Sequence, residues 1–510
     1  MQWHHTEAAR EVLASEYGAL IHDWGGQVPV VLAYANSYAV GMSSLAVHAL
    51  YRWLNDVPGI VCERAFASLG ARPRRDAPVL TLESQRAIGE AAVIAWTLSF
   101  EPDYFAVVSI LRRAGIPVTR AQRDETHPLL LMGGPAVSAN PLPMSGVADA
   151  IVVGEIEPLL EELSAVLLDI WRAERDATLA RMASLPGIYV PALHDGEDVH
   201  RQWLADLTCC PVSSSIVAPR ASFGDMHLIE LSRGCPWGCR FCLAGCWYGP
   251  RREQSLDVVL AEADRGLGRL DKVGLVASAV SDYTGIEELT QSLLERGAGI
   301  SVSSLRVRPL PECLVSALAR SGARSLTLAP EAGSERLRRD IHKGVGEEDI
   351  LRGAGLAAEY GFESLKLYFM WGLPGETDKD VIEIATLVHR LFDVFPRNLI
   401  VNLTPFVPKP HTPFQREPMA SEDDLTRRLG LLRDALPRSR VQLRSEGVGD
   451  ARAQALLSRG DEWVASALAQ GSVAGPRQLE RALRRQNRDP ERYRGAWDGP
   501  GALPWGFVVP

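Results

Sequence analysis

The sequence lacks any apolar run long enough to cross a bilayer; its longest, Ala91 to Phe100, is about half of what a spanning helix requires. The N-terminus, MQWHHTEAAREVLASE, lacks the basic-then-apolar pattern of a signal peptide, so a cytoplasmic location is expected. Cysteine is scarce, 8 in 510 residues, too few for a disulfide scaffold at this length. Positive charge is short as well. A net charge of -9 argues against surface-wide attraction for bulk nucleic acid. No internal repeat of fixed short period runs through the chain. What is present is an ordinary globular composition, 46% hydrophobic and 23% charged with 44 glycines and 33 prolines. At roughly 150 residues per domain, the length suits about three folding units.

From Pro29 to Glu155 short apolar runs alternate with helical patterns: PVVLAY, then GMSSLAVHALYRWLN, with further strands expected at Ile60 to Phe66, Ala91 to Leu98, Leu129 to Met132 and Ala150 to Val153. This rhythm predicts an α/β doubly wound parallel sheet with its ligand site beyond the carboxyl ends of the strands. A long helix is expected from Glu157 to Met182, then a small β excursion at YVPAL and HRQWLADL within a linker over 185–222. The βα rhythm resumes at HLIEL and continues through KVGLVAS, ISVSSL, SLTLAP, SLKLYFM and LIVNLTPF. Six strand-helix repeats suit a partial (β/α)6 barrel of TIM type, whose chemistry sits at the carboxyl ends of its strands. The expected division is 1–184, linker 185–222, barrel 223–437 and a small C-terminal extension 438–510. In the extension, Arg477, Arg481, Arg484, Arg485 and Arg488 read as the solvated face of a helix, with contact to an RNA substrate as the alternative.

The cysteines are unevenly placed. Cys235, Cys239, Cys242 and Cys246 fall within twelve residues, while Cys62, Cys209, Cys210 and Cys313 are scattered. Cys235-Pro-Trp-Gly-Cys239-Arg-Phe-Cys242 follows the strand HLIEL, where a barrel places its active site. Three thiolates hold three irons of a 4Fe-4S cluster and leave the fourth open to a non-protein ligand, whereas an electron carrier fills all four positions. A zinc site completed by Cys246 or a histidine is the structural alternative. Cys246, one helical turn past Cys242, reads as packing or a spare thiol.

This stretch resembles the signature CxxxCxΦC of the radical S-adenosylmethionine enzymes, with Phe241 at the aromatic position; LAPEAGSERLRR and LYFMWGLPGET follow in the order that family shows. The resemblance spans about 226 to 437, and the preceding sheet is similar to the subgroup with an N-terminal cobalamin-binding-type, Rossmann-like domain. It implies that Cys235, Cys239 and Cys242 bind a 4Fe-4S cluster and that S-adenosylmethionine chelates the open iron, with Phe241 near its adenine. It further implies reduction by flavodoxin or ferredoxin and cleavage to a 5'-deoxyadenosyl radical. Ser281 and Asp282 stand where the family often has Gly-Gly-Glu, a departure that shortens the carboxylate's reach. Ser303 and Arg306 suit the ribose and carboxylate of the cofactor, Arg because its planar donors bind both oxygens. Glu331 matches another cofactor position. Gly372 and Pro374, in the turn before a helix capped by Thr377 or Asp378, lie near the expected adenine.

Many cobalamin-binding domains carry DxHxxG after their first strand; here the stretch is Asn36-Ser37-Tyr38-Ala39-Val40-Gly41. The glycine is kept and the histidine is not. Ser99, Gly133 and Gly134 resemble the loops around the nucleotide tail of cobalamin. If cobalamin binds, the expectation is a cobalt without a protein nitrogen below it and methyl transfer as the reaction; the alternative is a domain of this type that binds none. His48 and His127 fall outside the motif. An RNA-modifying methylthiotransferase-like enzyme without cobalamin is the second enzymatic reading, and it needs an upstream cysteine triad that Cys62, Cys209 and Cys210 do not convincingly form. A non-catalytic iron-sulfur protein is the third. The substrate is not legible.

Overall fold

Val, Ile and Leu crowd the strands of the first unit because a parallel sheet covered on both faces leaves little room for alternating polar residues. In the computed structural model, which describes residues 2–70, 78–470, 473–499 and 501–510, the strands are β1 (Val28–Ser37), β2 (Ile60–Ser68), β3 (Val93–Thr97), β4 (Leu129–Gly133) and β5 (Ala150–Val152), with β6 (Ile188–Tyr189) at the edge. Their order is β2-β1-β3-β4-β5-β6; the first five are parallel and β6 is antiparallel to β5. The order reverses between β1 and β3, where sheets of this kind open a crevice beyond the carboxyl ends. One face, with Val30, Leu32, Leu131 and Val152, packs on the helices Leu45–Asn55 and Leu160–Leu168. The other, with Val31, Ile94, Trp96 and Leu130, packs on the helix Asp103–Arg113.

The single helix expected from Glu157 to Met182 is two, Leu160–Leu168 and Arg175–Ala183. Between them Ile170 packs on the core but Trp171 is exposed, and the chain turns where the Arg172 N–H meets the Asp169 carbonyl at 2.8 Å. Residues 185–222 are tied down rather than free: β6 extends the first sheet, β7 (Val199–His200) pairs with the end of the chain, and Ser213 bridges to Ile229.

The second unit contains β8 (His227–Glu230), the short β9 (Ser232–Arg233) and β10 (Arg252–Glu253), β11 (Lys272–Val276), β12 (Gly299–Ser301), β13 (Ser325–Glu331), β14 (Ser364–Trp371), β15 (Asn398–Pro405) and β16 (Val441–Ser445). Two parallel sheets, β12-β11-β8 and β13-β14-β15-β16, are joined by a bridge between Leu305 and Leu328. β16 lies beyond the six strands read from the sequence, within the segment expected as an extension; its exposed Gln442 and Arg444 dilute its apolar pattern. Leu365, Leu367, Phe369, Leu399, Val401 and Leu403 enter the core shared with the surrounding helices, and Lys366, Tyr368, Asn402 and Thr404 alternate onto the opposite face.

The C-terminal segment returns to the first unit. Its helices Val448–Ser458, Glu462–Ala469 and Pro476–Arg485 bury Leu457, Val464, Leu468, Leu479 and Leu483 in the same core as Ile94, Trp96 and Val107. The Asn140 amide donates to the carbonyls of Ser458 and Gly460 at 3.0 and 2.8 Å, and β17 (Val508–Val509) pairs in parallel with β7. Arg477, Arg481, Arg484 and Arg485 are exposed, Arg484 beside Glu480, while Arg488 lies over the Trp463 ring. Among the described residues no helix is long and apolar enough to cross a membrane.

Candidate cofactor site

The strands β8 and β9 deliver the chain to a loop that carries Cys235, Cys239 and Cys242 and ends in the short helix Leu243–Trp247. Gly234 starts the loop at φ +78, and a Cβ there would stand 2.5 Å from the Tyr248 carbonyl oxygen. Cys239 is buried, and Cys235 and Cys242 are partly so. The Cys242 N–H donates to the Cys239 carbonyl at 3.0 Å. Burial pushes the Cys235 and Cys242 thiols up. The Trp237 N–H at Cys235, and the Gly245 and Ala244 N–H groups at Cys242, pull the other way, and both thiols respond to the charge of Cys239. Among the described residues no three His, Cys, Asp or Glu side chains stand in metal-holding geometry; the three thiols share one loop and one electrostatic neighbourhood. Cys246 is half-buried and also responds to Cys239.

Trp237, inside the cysteine motif, joins this loop to the next strand ends. Its Nε1 donates to Asp282 Oδ1 at 2.9 Å, and the Arg306 guanidinium lies 4.1 Å from its ring centroid. Arg306 also donates to the carbonyls of Arg308 and Lys343 at 3.1 and 3.2 Å. Lys343 is paired with Glu331 at 2.9 Å. Two atoms here have no partner: the Ser281 hydroxyl and Asp282 Oδ2 are buried and unbonded, a costly state that a polar ligand relieves. Burial raises the Asp282 carboxyl, opposed by the Trp237 hydrogen bond and Arg306. Asp282, Arg306 and Cys235 are thus brought together, and Glu331 adjoins them through Lys343. Ser303 is exposed in the loop after β12 and makes no hydrogen bond among the described residues.

Phe241 and Met370 pack beside a cluster that includes Leu373, Phe406 and Phe414. Gly372 has φ +75, and a Cβ would stand 2.6 Å from Leu425 Cδ2. Both the positive φ and the close packing on Leu425 require a glycine here. Its N–H donates to Glu376 Oε2 at 2.6 Å; Glu376 is pushed up to about 7 because burial outweighs that bond and the Arg428 guanidinium at 2.9 Å. Pro374 is half-buried in the same turn, and Thr377 caps the following helix.

A cavity of about 550 Å³ lies between the first sheet and its helices. Val30, Leu32, Leu131, Val152, Leu50 and Leu163 form its apolar walls; Ser99, Gly133 and Gly134 stand at the strand ends, and the wall continues to Ser232, Arg233 and Gly234, next to Cys235. Arg233 is held there by Glu155, Glu157 and Glu230 at 3.0, 2.6 and 2.9 Å. Gly134 has φ +98, and a Cβ would meet the Leu98 backbone at 2.7 Å.

Tyr38 and Gly41 do not line this cavity. The Tyr38 phenol is buried edge-on to Phe66 and donates to Glu16 Oε1 at 2.6 Å, which with burial holds it far above its usual range. A Cβ at Gly41 would stand 2.5 Å from the Phe66 ring. Both residues serve packing against β2. His48 is buried against the Met42 carbonyl and pushed down to about 4 by desolvation, and His127 bonds Asp124. The sequence alone assigns no role to Trp237 or Lys343; the place of Trp237 within the cysteine spacing is the available signal.

The family model for radical SAM proteins, N-terminal, matches residues 46–191, and that for the radical SAM superfamily matches residues 229–388. An uncharacterized protein from Methanocaldococcus jannaschii is 32% identical over 486 residues, 94% of this chain and 98% of the relative. The ribosomal protein uS12 methylthiotransferase RimO from Frankia casuarinae is 28% identical over 288 residues, 50% of this chain and 54% of the relative. Among solved structures, the radical S-adenosylmethionine methyltransferase TsrM from Kitasatospora setae, with cobalamin and a [4Fe-4S] cluster bound, superposes with a TM-score of 0.54 at 13% identity, covering 90% of this chain and 100% of that one; the likeness is one of fold. With both of its parallel-sheet units matched in sequence and its relative matched almost end to end, the chain belongs to the radical SAM superfamily of enzymes.

Proposed function

We propose that this enzyme holds a 4Fe-4S cluster on Cys235, Cys239 and Cys242, takes S-adenosylmethionine against Ser281, Asp282 and Arg306, binds cobalamin in the cavity of the first unit, and is a methyltransferase. The observation that carries the reading is the cavity: an apolar slot of about 550 Å³ between a parallel sheet and two helices, open at the strand ends and walled by the residue before Cys235. A Rossmann-like domain of this kind and a partial barrel are the corresponding architecture, and the TsrM likeness in fold supports it.

The residues fit these groups. The buried, unbonded Ser281 hydroxyl and Asp282 Oδ2 are acceptors for an amino group. The Arg306 guanidinium, oriented by Trp237, presents its charge to a carboxylate. Phe241 and Leu373 offer an apolar rest for an adenine. In the first unit the small residues Gly133, Gly134 and Ser99 leave the mouth of the slot open. Tyr38 is committed to Glu16, so it gives cobalt no phenolate ligand. When bound and reduced by one electron, from a donor such as flavodoxin or ferredoxin, the cluster and S-adenosylmethionine supply a 5'-deoxyadenosyl radical, and cobalamin supplies a methyl group.

RimO makes a methylthiotransferase the second reading, but Cys62 is in the sheet core with its N–H bonded to Asn55, whereas Cys209 is exposed beside Asp206. Those thiols form no triad. Anaerobic reconstitution with iron and sulfide, followed by equilibrium dialysis with hydroxocobalamin, tests the proposal: binding at micromolar concentration together with iron near four per chain is expected from it, roughly an 8 kcal/mol association. An intact cluster with no cobalamin bound at tens of micromolar removes the methyl-transfer reading.

A further inference from the structure

The register of β14, β15 and β16 arranges their side chains in rungs across the face that the helices do not cover. Tyr368 is level with Asn402, and Asn402 with Arg444. One rung toward the carboxyl ends, Met370 is level with Thr404; one rung below, Lys366 lies beside Ile400. Neighbouring strands are about 4.8 Å apart, so each rung is a continuous strip. Tyr368 is 38% exposed and Arg444 is exposed. At the upper rung, Met370 packs against the same cluster of Leu373, Phe406 and Phe414 that Phe241 of the cysteine loop packs against, so the strip leads toward the cofactor site.

Charge on this strip is not balanced from within. Lys366 has no ion-pair partner among the described residues, and Arg444 donates only to the neutral Gln442 amide, at 2.8 Å. Glu331 is held by Lys343 and Glu230 by Arg233, while Glu446 accepts a 3.3 Å bond from the Thr404 hydroxyl and has no ion-pair partner among the described residues. Two cations without ion-pair partners among the described residues, against the single carboxylate of Glu446, therefore flank an exposed phenol ring and the Asn402 amide.

We propose that this strip is the substrate cleft and that the substrate is a small organic oxyanion, a carboxylate or a phosphate ester, whose apolar body lies against Tyr368. The oxyanion is held by Arg444 and Lys366, Asn402 adds a hydrogen bond, and the opposite end of the molecule points past Met370 toward the cofactors. Arg suits either oxyanion through its paired donors. A small molecule fits better than an RNA strand, because two cations on a chain of net charge -9 do not make the extended basic track that a phosphate backbone requires. The role as a substrate cleft rests on the function proposed above, but the binding can be measured without turnover.

The test titrates the reconstituted full-length protein with phenylacetate, phenyl phosphate and the neutral benzyl alcohol, followed by saturation-transfer NMR and calorimetry. At least one anion is expected to bind in the millimolar range or tighter, and benzyl alcohol roughly tenfold more weakly. Arg444→Gln and Lys366→Gln are each expected to weaken the anion roughly tenfold and leave benzyl alcohol as it was. The stronger of the two anions names the oxyanion. Equal binding of anion and alcohol, variants that bind like the parent, no binding of either anion, or tighter competing binding by a short oligoribonucleotide overturns the proposal. Failure of the cofactor reading shows separately, as missing iron or absent cleavage of S-adenosylmethionine, with the anion titration unaffected.

Discussion

Trp237 is gripped on its edge by Asp282 and on its face by Arg306, so one indole couples the cysteine loop to two successive strand ends of the second unit. If Arg306 holds the carboxylate of S-adenosylmethionine as proposed, Arg306→Ala should lose a charge-assisted contact of about 1.5–3 kcal/mol, roughly ten- to hundredfold in affinity, without touching a thiol. Equilibrium binding on the reconstituted variant should show that loss with iron content unchanged; unaltered affinity would place the cofactor's carboxylate elsewhere. Ala at Cys235, Cys239 or Cys242 should abolish the cluster absorbance, while Cys246→Ala retains it, and a normal spectrum with iron near four in Cys239→Ala would contradict the ligand set. At this scale the sequence is readable in placement: Cys235, Asp282 and Arg306, each just after an apolar run, are brought together around Trp237. Lys343 and Tyr38 were not readable, because Glu331 pairs with the first across a folded turn and Phe66 and Glu16 claim the second from other elements.

The segment after β15, FVPKPHTPFQ, straps the two units together. Lys409 pairs with Glu101 at 2.5 Å, and Glu101 also accepts from Gln454 at 2.8 Å; His411 bonds the Ala139 carbonyl at 2.9 Å and lies 4.7 Å from the Trp247 ring. Burial pushes the His411 imidazole down to about 4. The unfolded ring, near 6.5, binds a proton that the folded one refuses, so the strap's contribution is complete above about pH 6.5 and is lost as pH falls toward 4. The span corresponds to about 3 kcal/mol for this one ring. The thermal midpoint should therefore drop across that window, and His411→Gln should flatten part of the drop; an equally steep profile in the variant would assign the acid sensitivity to other groups, of which the buried His48 is the first. Periodicity revealed the main strands and most helices, since their apolar spacing is local. It missed the break after Leu168 and the strand β16, where partners distant in sequence decide whether a polar stretch turns or pairs.

The whole molecule is closed by its last sixty or so residues. Leu457, Val464, Leu468 and Leu483 complete a core whose other half is the face of the first sheet bearing Ile94, Trp96 and Leu130. Leu468→Ala, fully buried there, should cost about 2–5 kcal/mol through lost transfer energy and the cavity left behind. Ending the chain after Gly447 should leave the first unit open to limited proteolysis at concentrations where the parent resists; a protected fragment would show that the sheet stands without its clasp. The pairing of β17 with β7 also bears on how the protein is made. Synthesis runs from the N-terminus, yet one face of the first sheet is finished by residues more than three hundred positions further along the chain. The half that leaves the ribosome first is thus the half that must wait, holding an apolar surface open while the second unit is produced and folds. During that interval, aggregation competes most strongly with folding, and slow translation of the stretch that encodes the closing helices lengthens the exposure of the first sheet.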